Sequence, residues 1–292
     1  MVKLPITDFH THAFPDTLAP RAMAQLTANA ADCGFTPHTD GTIAGLLASM
    51  DAVSYHGAPI AASVICNIAT NARQMAKVND FAVATASLPG KKRLYPLGSL
   101  HPGATPAEIE AELDKLAAAG IRGIKIHPDY VGIELISPAF DPILSLCEER
   151  GMFITTHAGF DPVSPLHPHA TPDMILEILS RYPRLTFIAA HTGGADREDE
   201  VLAKLCGTRV YLDTSLAASR ASRSTAVGEA CAHILRAHDP DRLLFASDSP
   251  WSTPTSELEF LDKVGLDEST MEKILSLNAA RLLGLQQARD FT

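Results

Sequence analysis

Eight short apolar runs recur along the chain, and each is followed by residues whose apolar positions repeat with the period of a helix. The runs are rich in β-branched, leucine and small residues, which is typical of parallel strands buried on both faces of a sheet. The predicted strands cover residues 6–12, 58–68, 93–100, 121–126, 152–156, 185–190, 209–214 and 242–246. The predicted helices cover residues 42–50, 71–87, 105–119, 138–150, 171–181, 198–206, 224–237, 255–263 and 268–284.

This alternation predicts an α/β protein with a closed (β/α)8 TIM barrel. The alternative, an open doubly wound sheet, is disfavoured because no Gly-x-Gly-x-x-Gly turn follows an early strand. We expect a single domain over residues 1–292, since no linker or low-complexity segment interrupts the pattern. The connection after the first strand, residues 14–50, is long for a barrel and is predicted to contain two helices. We therefore expect a distorted barrel in which this connection covers or lines a site.

One helix start carries a specific signal. Thr105-Pro-Ala-Glu108 has the residues of a capping box, with Thr105 as the N-cap and proline in the first turn. Gly120 and Gly151 follow two predicted helices, at the position where glycine commonly ends a helix. These residues predict where one helix begins and where two helices end, without reference to the spacing of apolar positions.

Composition narrows the class of protein. The 292 residues are 46% hydrophobic, and the formal charge of -10 argues against nucleic acid or an anionic membrane as the main partner. The sequence contains no apolar run of about 18 residues, and its first residues lack the apolar centre of a signal peptide. The five cysteines are widely spread and form no Cys-x-x-Cys pair. We expect a cytoplasmic protein with reduced cysteines and nothing folded before the barrel.

Residues that can bind metal stand at the carboxyl ends of the predicted strands. His10 and His12 are two residues apart and therefore point to one face, which Asp8 shares. Other strand ends carry Lys125, His127, His157, His191 and Asp248. Barrel enzymes keep their chemistry at this end, so the coincidence over five strands predicts a metal site. Imidazole and carboxylate suit zinc, with manganese, iron and cobalt as alternatives.

The motifs around these residues resemble those of the amidohydrolase superfamily. The motifs are Asp-Phe-His-Thr-His (8–12), Gly-Ile-Lys-Ile-His-Pro (123–128), Thr-His-Ala-Gly (156–159), Ala-His-Thr-Gly-Gly (190–194), Ala-Ser-Asp-Ser-Pro-Trp (246–251) and Asn-Ala-Ala-Arg-Leu (278–282). The most similar branch is the amidohydrolase-related group, which includes aminocarboxymuconate-semialdehyde decarboxylases, resorcylate-type decarboxylases and some lactonases. The similarity covers nearly the whole chain. Those members tend to be longer, so their substrate loops do not transfer.

The resemblance implies that His10, His12, His157 and Asp248 ligate one divalent metal. Asp248 would also contact the reacting water, and His191 would contact water or substrate, which makes both catalytic. Lys125 leaves two alternatives. In two-metal members a lysine here is carboxylated and bridges the ions, with His157 and His191 on the second metal. In the one-metal branch, which we favour, Lys125 would bind a substrate carboxylate or pair with a nearby acid.

Further candidates carry a weaker signal. The candidates for substrate binding besides Lys125 are His127, His169, Arg223 and Trp251. Trp251 would wall the site, whereas Arg223 and Arg220 would bind an acidic group unless they are solvated. Asp8 either orients a ligand or supports the barrel. His101, Asp129 and Tyr130 are expected to shape loops.

The expected activity is hydrolysis of a small carboxylated amide, ester or lactone through a metal-activated water. The alternative is non-oxidative decarboxylation of a small unsaturated or aromatic acid with the same ligands. A catalytically inactive barrel that only binds a partner is disfavoured by the full ligand set. Lys125 and the arginines indicate a small anionic substrate, and the resemblance implies a homodimer.

Overall fold

Strands and helices alternate throughout residues 4–33, 36–88 and 93–285, which are the residues that the computed structural model describes. The strands are β1 (Ile6–Thr11), β2 (Ser54–Tyr55), β3 (Ala58–Ile65), β4 (Arg93–Pro96), β5 (Gly123–Ile126), β6 (Phe153–Thr156), β7 (Phe187–Ala189), β8 (Tyr211–Asp213) and β9 (Leu243–Leu244). The α-helices are α1 (Ala19–Asn29), α2 (Ile43–Asp51), α3 (Met75–Ala86), α4 (Pro106–Ala118), α5 (Pro128–Val131), α6 (Asp141–Arg150), α7 (Pro172–Arg181), α8 (Glu198–Lys204), α9 (Ala217–Arg223), α10 (Thr225–Ala237), α11 (Pro254–Val264), α12 (Glu268–Glu272) and α13 (Asn278–Leu283). A π-helical turn, Lys273–Leu277, joins the last two helices.

Eight of these strands run parallel in the order of a barrel. One sheet pairs β1 with β3 and β3 with β4, and a second sheet runs from β5 to β9 in sequence order. Single parallel bridges join the sheets at both edges, and they pair Gly98 with Ile124 and Thr11 with Ser249. The contact between β1 and the segment after β9 has a further hydrogen bond, which the Phe9 main-chain N–H donates to Phe245 O at 2.8 Å. The predicted distorted (β/α)8 barrel is therefore confirmed.

Apolar side chains fill the barrel interior. Phe9 on β1 and Phe153 on β6 have ring centroids 5.8 Å apart, although these strands are not neighbours in either sheet. They belong to a buried cluster that also contains Val64, Ile188 and Leu244. This interior layer supports the polar residues that follow at the carboxyl ends of the strands.

The long connection after β1 contains α1 and α2, as predicted. It lies against later parts of the same barrel end: His38 N donates to Pro250 O at 3.0 Å, and Asn29 Nδ2 donates to the Tyr130 hydroxyl at 3.4 Å. The connection therefore borders the turn that carries Asp248.

Other elements were not predicted. β2 pairs antiparallel with β3, and the two residues between them, His56 and Gly57, have positive φ angles of 49° and 87° that suit a two-residue hairpin. α5 and α9 are short helices in segments for which the sequence predicts no helix. The predicted helix 268–284 is divided by the π-helical turn. Among the described residues, no helix has the length and apolar character that crossing a bilayer requires.

Candidate metal centre

Three of the four predicted ligands meet where β1 adjoins the segment after β9. The ligand atoms of His10, His12 and Asp248 all lie within 4.8 Å of one another. Asp248 Oδ1 is 3.1 Å from His12 Nε2 and 3.3 Å from His10 Nε2. The His10 and Asp248 side chains are buried, whereas that of His12 is 19% exposed. We call these three residues the His10 group; His12 gives it one accessible side.

The backbone brings these side chains together in two ways. Strand alternation puts His10 and His12 on one face. Asp248 has a φ of 65°, a left-handed conformation that costs a non-glycine residue about 1–3 kcal/mol. Its N–H donates to His10 O at 2.8 Å, and its carbonyl accepts from Trp251 N at 2.8 Å. These contacts hold the strained turn against β1, with half-buried Trp251 beside it.

Asp213, at the end of β8, sets the tautomer of His10. Its Oδ2 lies 2.9 Å from His10 Nδ1. Burial alone would raise the pKa of Asp213, but His10, Lys125 and a hydrogen bond from Ser215 hold this pKa below its usual value. The ionised carboxylate only accepts, so His10 carries its hydrogen on Nδ1 and keeps a lone pair on Nε2. A metal ligand needs such a lone pair, and the residues of the His10 group therefore fit a divalent ion.

Lys125 lies beside this group, as its position on β5 predicts. The side chain is 1% exposed, and Nζ is 3.1 Å from His10 Nε2. Burial lowers the pKa of Lys125, although the carboxylates of Asp213 and Asp248 counteract part of the shift. Both alternatives for Lys125, a carboxylated bridge and a cation for substrate, stay predictions.

The fourth predicted ligand, His157, also lies in a second group, and its place among the ligands of the first ion stays a prediction. Its ligand atoms gather within 4.8 Å with those of His127 and Asp161. Asp161 Oδ2 is 3.3 Å from His127 Nε2 and 3.7 Å from His157 Nε2. The two imidazole rings stack with centroids 4.1 Å apart and an interplanar angle of 9°. We call these residues the His127 group.

His191 connects the two groups instead of standing free in the site. Its Nε2 is 3.0 Å from His157 Nδ1, and its Nδ1 is 2.8 Å from Ser215 Oγ, whose hydroxyl donates to Asp213 Oδ1 at 2.5 Å. Burial lowers the pKa of His157 to about 4 and that of His191 well below its usual value. Both rings are therefore neutral near pH 7. His191 orients His157 in this arrangement.

Three of the weaker candidates, Asp8, Arg220 and Arg223, differ in burial and in their partners. Asp8 accepts from Ser247 N at 2.9 Å and from Ser247 Oγ at 2.5 Å, and burial raises its pKa to about 7. It therefore ties β1 to the segment after β9, which supports the barrel. Arg220 is 7% exposed and forms an ion pair with Glu198, so it is not solvated. Arg223 is exposed at the end of α9.

His169 is held by Asp129. The Asp129 Oδ1 accepts from the His169 main-chain N at 3.0 Å and lies 3.2 Å from its Nδ1, and it also accepts from the Ser164 hydroxyl. Asp129 does shape a loop, as expected, by joining α5 to the connection after β6. The His127 ring has Tyr130 at its edge, with centroids 4.7 Å apart.

Sequence reasoning missed three residues of this centre, which are Asp161, Asp213 and Ser215. Asp213 lies within a predicted strand, near the same carboxyl end as the other candidates, and that position was an available signal. Asp161 follows His157 by four residues in one loop. Nothing in the local pattern indicated that Ser215 would join two histidines.

Comparison with known proteins agrees with this architecture. A family model described as Amidohydrolase matches residues 7–285. Solved structures with the same fold include an uncharacterized TIM-barrel protein from Bordetella bronchiseptica (20% identity, TM-score 0.68, covering 96% of this chain and 99% of that chain). A putative 2-pyrone-4,6-dicarboxylic acid hydrolase from Pseudomonas putida has 17% identity and a TM-score of 0.65, covering 97% and 99%. A 5-carboxyvanillate decarboxylase from Novosphingobium aromaticivorans, complexed with manganese and 4-hydroxy-3-methoxy-5-nitrobenzoic acid, has 16% identity and a TM-score of 0.66, covering 97% of both chains. The curated proteins contain no match to this sequence.

Proposed function

The chain belongs to the amidohydrolase family of enzymes, and from this premise we propose that it is a metal-dependent hydrolase of a small carboxylated amide, ester or lactone. The observation that carries the proposal is the His10 group, in which two imidazoles and a carboxylate converge at the barrel end where such enzymes act. We further propose zinc as the ion, with manganese, iron and cobalt as alternatives, because nitrogen and oxygen ligands suit all four.

His10, His12 and Asp248 would hold the ion, with His157 as the predicted fourth ligand. A divalent ion there would supply Lewis acidity and lower the pKa of water. Burial opposes ionisation of Asp248, but His10, His12 and Lys125 outweigh it and hold the pKa of Asp248 below its usual value. Asp248 is therefore ionised near neutral pH. It takes a proton from the attacking water at a carboxylate oxygen and returns it to the leaving nitrogen or oxygen.

The position of Lys125 favours the proposal that the substrate is anionic. Its Nζ lies buried 3.1 Å from His10 Nε2, so in its protonated form Lys125 could pair with a substrate carboxylate near the His10 group. The similar hydrolase and decarboxylase both have carboxylic acids in their descriptions. A small carboxylated substrate is therefore part of the proposal.

Decarboxylation is the second candidate. The same Lys125 contact could hold a carboxylate that leaves as CO₂, and a decarboxylase with bound manganese shares the fold. The two reactions differ in their atom balance. Hydrolysis adds one water across a C–N or C–O bond, whereas decarboxylation breaks a C–C bond and adds one proton to carbon.

The test uses that difference. Metal-loaded protein is incubated in H₂¹⁸O and in D₂O with carboxylated and neutral lactones, esters, amides and aromatic acids. Uptake of ¹⁸O into a product acid without CO₂ supports hydrolysis, and CO₂ release with deuterium on carbon supports decarboxylation instead.

Two variants test the assigned roles. Asp248→Asn should lower kcat at least 100-fold, the lower end of what a positioned acid–base group contributes. Lys125→Gln should raise KM for carboxylated substrates more than for neutral ones. His233→Gln, at an exposed histidine of α10, is the matched control and should behave like wild type. Unchanged turnover in Asp248→Asn would refute the assignment.

A further inference from the structure

We propose that Arg220 is a positioning residue for His191, the histidine for which the sequence resemblance implies a catalytic role. The Arg220 guanidinium holds the backbone turn that carries His191, and an ion pair with Glu198 holds the guanidinium. Arg220 acts through the main chain of His191 and touches no reacting atom. The part of its test that reads activity rests on the proposed function, whereas the part that reads the backbone does not.

The turn that carries His191 has an unfavourable backbone conformation. Its three residues, His191–Gly193, have consecutive φ angles of 58°, 56° and 90°, and we call them the His191 turn. Left-handed conformations normally occur as single residues, and the β-branched Thr192 is poorly suited to them. Such a run persists only where the surrounding structure holds it. The contacts of the His191 turn therefore decide where the His191 ring lies.

Hydrogen bonds to the barrel hold the two sides of the His191 turn. On the incoming side, His191 N donates to Asp213 Oδ1 at 2.9 Å. On the outgoing side, Ala195 N donates to Ala158 O at 2.9 Å. Between them, the His191 carbonyl accepts from Gly194 N at 3.2 Å, which is a bond within the same segment. Contact from outside the segment at this carbonyl would therefore fix the middle of the turn.

Arg220 supplies that contact from α9. Its Nη1 donates to His191 O and to Thr192 Oγ1, both at 3.4 Å. The Thr192 hydroxyl gives its hydrogen to His191 O at 2.7 Å, so its oxygen is available as an acceptor. Nη1 carries two hydrogens, one for each bond. One guanidinium nitrogen therefore bridges two adjacent residues of the left-handed run.

Carboxylates hold the other side of the guanidinium. Nη2 forms an ion pair with Glu198, the first residue of α8, and Nε is 3.6 Å from Asp196 Oδ1. The Arg220 and Glu198 side chains are 7% and 10% exposed, so little water screens their charges. The planar guanidinium presents its N–H groups in fixed directions. The ion pair therefore sets the direction in which Nη1 donates to the His191 turn.

The position of the His191 ring depends on this support. Its Nε2 is 3.0 Å from His157 Nδ1, and its Nδ1 is 2.8 Å from Ser215 Oγ. A ring between two fixed partners keeps both contacts only while its own backbone stays in place. A displacement of about 1 Å can cost about 100-fold in rate. We therefore expect loss of Arg220 to lower kcat by about 10- to 100-fold and to change KM by less than about threefold.

The first part of the test reads the backbone and needs no substrate. Amide hydrogen exchange is followed by mass spectrometry in wild type, Arg220→Met and the double variant Arg220→Met/Glu198→Gln. Peptides covering residues 190–198 should exchange about tenfold faster or more in both variants, while peptides from β3 keep their wild-type rates. The double variant removes both charges, so its faster exchange cannot come from an unpaired Glu198 carboxylate.

The conservative variant Arg220→Lys separates positioning from a purely structural ion pair. Its ammonium can pair with Glu198, and urea unfolding should show part of the stability that Arg220→Met loses. A compact ammonium cannot hold Glu198 on one side and the His191 carbonyl on the other. Exchange over residues 190–198 and kcat should therefore stay close to those of Arg220→Met.

The second part measures kcat and KM with the carboxylated compound that wild type turns over fastest. Lys204→Met is the control, because it breaks an exposed ion pair of α8 with Asp173 that lies outside the His191 turn. This control should match wild type in kcat, in KM and in the exchange of residues 190–198.

Three outcomes overturn the proposal. The first is wild-type exchange over residues 190–198 in folded Arg220→Met or in the double variant. The second is full recovery of exchange protection and kcat in Arg220→Lys, which would leave Arg220 a structural ion-pair partner only. The third is faster local exchange with unchanged kcat. Circular dichroism checks folding, and the double variant decides the question if Arg220→Met does not fold. A wild-type protein without turnover would contradict the proposed function, and the exchange measurements would still decide the role of Arg220.

Discussion

Replacing Asp213 by Asn should weaken metal binding by the His10 group although Asp213 is not itself a ligand. Asp213 Oδ1 accepts from His191 N at 2.9 Å, Ser215 N at 3.1 Å and Ser215 Oγ at 2.5 Å. These three donors require an oxygen on that side, so the amide NH₂ of Asn must face His10 Nδ1. The N–H of that amide and the N–H at His10 Nδ1 would then face each other without an acceptor. His10 relieves the conflict by moving its hydrogen to Nε2, which removes the lone pair that binds metal.

The magnitude follows from this contact. Losing the partner that orients a metal-bound histidine costs about 10- to 100-fold in affinity, which is about 1.4–2.7 kcal/mol. The buried hydrogen bond from His10 to a charged acceptor is also lost, and this should lower the free energy of unfolding by about 1.5–3 kcal/mol. Zinc affinity is measured by competition with a chromophoric chelator, and stability by urea unfolding of the metal-free protein.

Asp8→Asn is the matched control. Asp8 is also a buried carboxylate, but its side-chain partners are Ser247 N and Oγ and the His10 main-chain N, not the His10 ring. Its substitution should lower stability without a comparable loss of zinc affinity. Zinc binding of Asp213→Asn within a factor of about two of wild type, or an equal loss in Asp8→Asn, would refute the reasoning.

Three further predictions concern stability. Burial raises the pKa of Glu257 from 4.5 to about 8, so the folded protein keeps a proton that the unfolded chain releases. The contribution of Glu257 to the free energy of unfolding should therefore fall by about 1.4 kcal/mol per pH unit as pH rises from about 5 to 8, and urea titrations should show it as the difference in slope between wild type and Glu257→Gln. Thr105 and Glu108 form the predicted capping box on α4, so Thr105→Ala should cost about 1 kcal/mol in urea unfolding. Gly123→Ala would put a Cβ 2.3 Å from a Phe153 ring carbon, and calorimetry should show a loss of about 1–3 kcal/mol. An equal slope in Glu257→Gln, or unchanged stability in Thr105→Ala or Gly123→Ala, would contradict the corresponding prediction.

Local pattern was sufficient for the strands, most helices and the direction of several side chains. Apolar runs predicted all eight parallel strands, because strands covered on both faces need continuous apolar sequence. The spacing of His10 and His12 placed them on one face, because side chains alternate along a strand. Thr105 and Glu108 predicted a helix start that the structure has. The short helices α5 and α9 were missed, since helices of four and seven residues carry too few apolar positions to show a period.

Local pattern could not decide which side chains meet across the barrel. His10 and Asp213 are 203 residues apart in sequence, and their contact depends on barrel closure. The sequence did not indicate that the His157 ring stacks on that of His127 and lies near Asp161, and the role of His157 as a ligand of the first metal stays a prediction.

The sequence by itself therefore determined a barrel whose polar strand ends carry metal-binding residues, because strand and helix periods are local properties. The tertiary structure alone decided which side chains gather in the His10 group and in the His127 group, and which hydrogen-bond partners Asp213 and Ser215 offer to His10 and His191. The physical reason is that a ligand set and a tautomer depend on distances of about 3 Å between atoms on different strands. Those distances are set by loop conformations, including the left-handed φ angles of 58° at His191 and 65° at Asp248, which the packing of the whole barrel maintains.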